Sequence, residues 1–508
     1  MRSNNHHQAA DLTKPAQYHV SNIGSEISFI LVLLILIFLP IPQSGKMAGG
    51  LSILSVFAAL VFFFAACSWA IAPDHFNNKK PISLRHDSGL WLIVWLVFCV
   101  GVLTHILLIA KLIGLKDMFS NDVWLHLSDA ARSSDSMLPS LRVWSFFTCM
   151  WIIAWRVSWL SERQVSWLLL IVFCASSFQA IFGLAHFITG GSSILGLWDK
   201  QYYLGDATGT FVNRNHFSGM LAISWPLMLS ALLANKPLLF ARHAPIVRWS
   251  IAIFYSFIVM LAVVSSHSRM GTAVALLSIM VWGVVYARSR RSQQGQSLRW
   301  LPWLIIASSI LLAVWFGLDD VLKRYTVLEN GDTRIQIWSA LFDLPAQAWI
   351  VGIGPGNFED VFRLVQPAYM KTRTIHAHND YLEFLLEFGL LIGIVIILSF
   401  AYWFWRLFPR GSMTIRAGAI GSIAAIAVHS TVDFNLQVPG SAVFFWVAVG
   451  LMMNRVLLPN LNRLDNETLP KSLSKSTGTN KIRRRNSKRR RTKVPSSKQQ
   501  WFDLFRSD

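Results

Sequence analysis

Acidic residues are scarce in this chain: 26 Asp and Glu stand among 508 residues, against 46 Lys and Arg, for a formal net charge of +20. Charge of either sign is thin, at 14% of residues, while 54% are hydrophobic, with 34 Phe and 22 Trp. A soluble globular domain carries roughly a quarter charged residues, so composition excludes that class before any motif is read. Cysteine is nearly absent as well. Cys67, Cys99, Cys149 and Cys174 all fall inside or at the ends of apolar runs, so they read as small buried hydrophobes and not as a disulfide framework. No H-x-x-x-H or C-x-x-C spacing occurs, and the isolated pair Asp319-Asp320 is too little for a hard cation. Neither a metal nor a cofactor is expected. No cleavable leader is expected either: the first apolar run follows a polar segment, 1–26, without a clear small-x-small cleavage site.

What is present is apolar sequence in long runs. A spanning helix needs about 20 apolar residues to cross a hydrocarbon core of roughly 30 Å. Such stretches lie near 27–43, 49–72, 89–113, 143–160, 166–188, 217–234, 249–266, 270–287, 300–317, 380–404, 413–430 and 440–458. The expected fold is all-α: a polytopic integral membrane protein of about 12 transmembrane helices, with a bundle over 27–458 and one large loop at 318–379.

Basic residues orient the bundle. With both termini cytoplasmic, every inside loop is basic, as in Lys79-Lys80-Arg85, Arg288 to Arg299, and Arg406-Arg410-Arg416, in keeping with the positive-inside rule. From Pro459 to the end there are 14 Lys and Arg against 4 Asp and Glu, including KIRRRNSKRRRTK at Lys481 to Lys493. This 459–508 tail lacks apolar periodicity and is expected to be disordered, cytoplasmic, and in contact with anionic membrane lipid and not nucleic acid. Three polar clusters then share the outer face: GTFVNRNHFSG (Gly209 to Gly219), SSHSRMG (Ser265 to Gly271) and HAHND (His376 to Asp380). Ionisable residues beside apolar spans are costly and mark sites by default. No duplication relates the two halves, which argues against a transporter built from repeats.

These clusters, in this order, resemble the O-antigen ligase and polymerase superfamily of bacterial envelope glycan enzymes. The resemblance runs over 200–455. It takes in NRNHFSG, the SR at Ser268-Arg269, WSALFDLPAQAWIVGIGPGNF (Trp338 to Phe358), HNDYLEFLLEFG, and HSTVDFNLQVPGSAVFFWVAVG (His429 to Gly450). His378-Asn379 and Gly389 keep the ligase spacing, while Gly393 falls one residue late. The resemblance implies a glycosyltransferase of the inner membrane, facing the periplasm. It would move a glycan from undecaprenyl diphosphate to an acceptor hydroxyl, lipid A–core for a ligase, a growing lipid-linked glycan for a polymerase, and protein serine in related enzymes. It also makes Arg214 the best match to the family's first functional arginine.

The residues suit that chemistry. Breaking a sugar–phosphate bond builds negative charge on the leaving diphosphate, which arginines meet with paired hydrogen bonds. Arg214 and Arg269 stand at the outer ends of neighbouring spans; the plain alternatives are snorkelling for Arg214 and turn capping for Arg269. The attacking hydroxyl needs a base, and neutral imidazole serves near neutral pH. His378 is the candidate, just ahead of a helix whose start is signalled by Asp380 and Glu383 in D-x-x-E spacing. His376 either orients His378 or the acceptor, or is an ordinary surface histidine. Leu382, Leu385 and Gly389 recur at helical spacing as a packing face, and Glu387 calls for an internal partner.

Overall fold

The structure, a computed structural model, describes residues 4–41, 50–71, 99, 134–234, 243–289, 300–325, 333–371, 373–407 and 413–454. The chain divides into two compact units, Met1–Pro459 and Asn460–Asp508. The second unit, and with it the basic tail, lies outside the described residues, as does the apolar stretch 89–113 apart from Cys99.

Helices account for nearly all the regular structure: α1 (Asn4–Phe38), α2 (Gly50–Ile71), α3 (Ser134–Ser158), α4 (Glu162–Thr189), α5 (Arg214–Leu233), α6 (Pro245–Ser265), α7 (Arg269–Ser289) and α8 (Leu301–Tyr325). Three short helices follow, α9 (Thr333–Leu341), α10 (Ala346–Val351) and α11 (Phe358–Val365), then α12 (Asp380–Phe388), α13 (Leu390–Leu407), α14 (Met413–His429) and α15 (Pro439–Met453). A two-stranded antiparallel hairpin, β1 (Ser193–Ile194) and β2 (Trp198–Asp199), sits between α4 and α5. Among the described residues, 6 helices are long and apolar enough to cross a membrane by length and composition, and shorter apolar helices at 302–315, 390–405, 414–429 and 439–453 join them. The chain is a membrane protein of many helices. All four cysteines are free.

The centre of the bundle is α5, whose apolar window is wholly buried. It is surrounded by α4, α6, α7, α14 and α15. Helices in lipid gain little from hydrophobicity between themselves and rely on close backbone approach and hydrogen bonds. Both devices are present. A methyl group on Gly418 of α14 would lie 2.6 Å from the Pro226 carbonyl oxygen of α5, and one on Gly421 would lie 2.7 Å from the Ser278 carbonyl oxygen of α7. Trp225 Nε1 donates to Ser256 Oγ at 3.0 Å, and Trp282 Nε1 donates to Ser230 Oγ at 2.9 Å. Ser422 Oγ donates to the Ile223 carbonyl at 2.5 Å, beside the ladder interruption at Pro226.

Two features differ from the sequence reading. The stretch 380–404 is not one helix: Gly389, at φ 79°, separates α12 from α13. Gly389 therefore ends a helix and does not seat its packing face. The segment after α8 is also folded. Helices α9 to α11 share a small core of Ile337, Leu341, Leu344, Phe358 and Phe362 with Leu386 of α12.

Candidate functional site

The site is organised by the first turn of α5. Asn213 caps this helix, its Oδ1 accepting from Asn215 N at 2.8 Å. Arg214 and His216 follow two residues apart, roughly 200° around the helix axis, so they serve opposite sides. Between them, Asn215 Oδ1 accepts from Ser268 Oγ at 2.8 Å, which ties the start of α5 to the start of α7. Gly219 leaves room for the segment after α14, since a methyl there would lie 2.7 Å from Asn435 Oδ1. The three polar clusters are thus brought together at one end of the bundle.

On the His216 side the central group is Asp433, whose side chain is 0% exposed. Its Oδ1 accepts from Phe434 N at 3.0 Å and lies 3.3 Å from His378 Nδ1 and 3.5 Å from His216 Nε2. Its Oδ2 faces Arg334 Nη2 of α9 at 3.9 Å. Burial alone would raise the Asp433 carboxyl; the polar contacts and charges of His216, His378 and His429 outweigh it and hold the group well below the ordinary carboxylate range. An ionised carboxylate only accepts, so the neutral His378 ring donates from Nδ1 and presents Nε2 as its basic nitrogen. The Phe434 ring fixes the imidazoles by contact, with centroids 4.1 Å from His376, 4.6 Å from His216 and 5.0 Å from His378.

The helix start departs from the D-x-x-E expectation. Asn379 is the N-cap, its Oδ1 accepting from Leu382 N at 3.0 Å. Asp380 and Glu383 instead lace the histidine segment to the segment after α14. Asp380 accepts from Ser430 Oγ at 2.7 Å, and Glu383 accepts from Ala377 N at 2.7 Å and Gln437 Nε2 at 3.0 Å. His376 Nδ1 meets Glu383 Oε1 at 2.9 Å, so this histidine is held by an acid as well as by Phe434. Trp338 Nε1 donates to the Ala377 carbonyl at 2.8 Å. These ties hold His378 at φ 51°, a left-handed value that side chains other than glycine avoid. Glu387 finds its partner in the GIGPGNF turn, accepting from Gly356 N at 2.8 Å.

On the other side of α5, Arg214 Nη1 donates to Asp206 Oδ2 at 2.7 Å, and its guanidinium lies 5.1 Å from the Tyr203 ring centre. Asp206 Oδ1 takes His267 Nδ1 at 2.6 Å. Arg269 opens α7 at this same end and is exposed. Arg214 therefore keeps a carboxylate partner, and the arginine set against the His378 pair is Arg334. Among the described residues no group of three or more His, Cys, Asp or Glu is arranged to hold a metal ion.

Asp433, Arg334 and Asp206 were not singled out from sequence. Asp433 had a usable signal: it is a lone acid just past an apolar run, in a segment already notable for its resemblance. Arg334 had none, being one cation among several in a nearly neutral loop.

Comparison with known proteins bears on the family this chain resembles. Residues 251–398 match the family model described as O-antigen ligase. The chain is also similar to a General O-oligosaccharyltransferase of Acinetobacter baylyi, 24% identical over 215 residues, which is 39% of this chain and 36% of that protein. The chain thus spans about a third of that relative's length. No solved structure matches it. The matched segment runs from the body of α6 to the first half of α13.

Proposed function

We propose that the protein is a membrane glycosyltransferase of envelope glycan biosynthesis, moving a glycan from an undecaprenyl-diphosphate-linked donor to an acceptor hydroxyl at the periplasmic face of the inner membrane. The observation that carries this reading is the buried Asp433 beneath His378, at the bundle end where α5 and α7 also present Arg214 and Arg269.

In the transfer step the acceptor oxygen attacks the anomeric carbon while the bond from that carbon to the diphosphate breaks. His378 Nε2 takes the hydroxyl proton, and Asp433 stabilises the imidazolium that forms. The electron pair leaves on the diphosphate, whose growing charge Arg214 and Arg269 receive; Arg334 adds positive potential on the His378 side. His376 holds the loop shape through Glu383 and Phe434 and borders the acceptor. Arginines supply the charge stabilisation that other enzymes obtain from a divalent cation, so the reaction is read as metal-independent.

The acceptor is lipid A–core in the ligase reading, and a growing lipid-linked glycan in the polymerase reading. The similarity to an O-oligosaccharyltransferase supports a third acceptor, a protein hydroxyl.

The test is glycan transfer by the purified full chain in detergent. His378→Ala is expected to lose transfer while inserting normally; wild-type turnover by that variant would remove the assignment. Activity should persist in excess chelator, and restoration by one added divalent ion would overturn metal independence. The glycan profile of a deletion strain separates the acceptors. Polymer left on the carrier with uncapped lipid A–core marks a ligase, single repeat units mark a polymerase, and loss of protein-linked glycan alone marks the third reading.

A further inference from the structure

The segment between α4 and α5 carries a second carboxylate–histidine pair that the reaction above does not use. Asp206 takes Arg214 on one oxygen, at 2.7 Å, and His267 on the other, at 2.6 Å. Its side chain is only 11% exposed, while those of Arg214 and His267 remain 23% and 22% exposed. The carboxylate lies underneath and its two partners reach the surface.

The support under this group is extensive. The buried Lys200 donates from Nζ to the Asp206 carbonyl at 3.0 Å, and Ala207 N donates to the Ser265 carbonyl at 2.9 Å. Those bonds fasten the loop to the residue that follows β2 and to the end of α6. Tyr203 at φ 58° and His267 at φ 51° are both held in left-handed backbone conformations, Tyr203 beneath Arg214 and His267 edge-on to Phe187 of α4 at 5.7 Å. Strain of this kind persists only where the surroundings over-determine it. A bare ion pair at a loop would not need it.

We propose that Asp206 is a positioning residue that holds Arg214 and His267 as one cationic cradle for the phosphates of a lipid-linked donor. This rests on the glycosyltransferase reading and extends it with two residues. Among the described residues, Lys200, Arg214 and His267 face Asp206 from the hairpin segment, α5 and the α6–α7 turn. One carboxylate against Lys200 and Arg214 leaves the group net positive, with the His267 ring held beside them. A dianionic phosphate then meets aimed donors whose ordering has been settled in advance.

The experiment is calorimetric titration of the purified full chain in detergent with farnesyl diphosphate, a short isoprenyl diphosphate. Asp206→Asn is expected to weaken binding about tenfold or more with an unchanged unfolding temperature, and Asp206→Glu to recover it to within about threefold. Recovery of binding by Asp206→Glu, with the unfolding temperature unchanged in both variants, is a result that a merely structural role would not produce. Wild-type or tighter binding by Asp206→Asn overturns the proposal, since the carboxylate would then be idle or a competitor. So does absence of binding to the wild-type chain. Should Asp206→Asn fail to insert, His267→Gln carries the same test, and wild-type binding there is equally fatal. His378→Ala keeps the two readings apart. If it loses transfer while Asp206→Asn binds normally, only the cradle falls; if it keeps transfer, the reaction assignment falls whatever Asp206 does.

Discussion

His378 Nδ1 lies 3.3 Å from Oδ1 of Asp433, a residue 55 positions downstream and shielded from solvent. One nitrogen of the imidazole faces the carboxylate, and the other, Nε2, is the atom that the proposed reaction uses as base. A carboxylate in this position selects the tautomer, restrains the ring, and stabilises the charge that appears when the proton arrives.

Asp433→Asn should therefore lower kcat by about 10²- to 10⁴-fold with little change in KM, because an amide can hold the wrong tautomer. Steady-state transfer assays check this. An equal rise in KM with kcat intact would place Asp433 in substrate binding.

The same carboxyl sets an acid limit. Its folded-state value is depressed from the ordinary 3.8, so its stabilising contribution is fully present above that value and is lost as pH falls through the lower folded value. Acid unfolding of the wild type and of Asp433→Asn should differ by a constant amount above about pH 4. The curves should converge only below that. Convergence between pH 5 and 7 would show that Asp433 is not held ionised.

Arg334→Lys should behave more like a deletion than a conservative change. Arg334 faces Asp433 through one nitrogen at 3.9 Å, and a compact, strongly hydrated ammonium does not reproduce its weakly hydrated, delocalised guanidinium. A loss of about tenfold or more in kcat/KM is expected for Lys and for Ala alike. Full activity of the Lys variant would reduce Arg334 to a point charge.

Asn379→Ala removes the cap of the helix that follows His378 and should cost about 1 kcal/mol. Asp380→Asn tests a different function. It leaves the cap intact but weakens the tie to Ser430 Oγ, made at 2.7 Å. Thermal unfolding in detergent should register the first change, and transfer assays the second. If the Asp380 variant alone loses helix stability, the capping assignment is reversed.

Gly418→Val tests the centre of the bundle. A methyl there already meets the Pro226 carbonyl oxygen at 2.6 Å, so α14 must move away from α5. Overpacking of this kind costs about 1–3 kcal/mol, and the shift would carry the Asp433 segment with it. Activity should fall together with the unfolding temperature; an unchanged unfolding temperature would show that the contact is slack.

The histidine segment shows where reading by sequence stops. His378 and its place ahead of a helix are legible in HAHNDYLEF, because polar residues at an apolar boundary are few and stand out. The cap was misread by one residue, since Asn and Asp serve equally well and adjacent candidates compete for the position. Gly389 kept its motif spacing yet ends a helix, because a glycine in a run can either be packed against or take a positive φ, and periodicity does not distinguish these. Arg214 was legible as a cation at a helix start, while its carboxylate partner, eight residues earlier in an irregular loop, was not.

By itself the sequence determined the class of the protein, the positions of most helices, the family resemblance, and the gathering of three polar clusters at one end. Those follow from local facts: run length against membrane thickness, charge on loops, and motif order. Only the tertiary structure decided which acid serves which base. Asp433 meets His378 across 55 residues, and Asp206 meets His267 across 61. Such pairings depend on how close α5, α7 and α14 come, and that approach is set by glycines and buried Ser–Trp bonds inside the bundle.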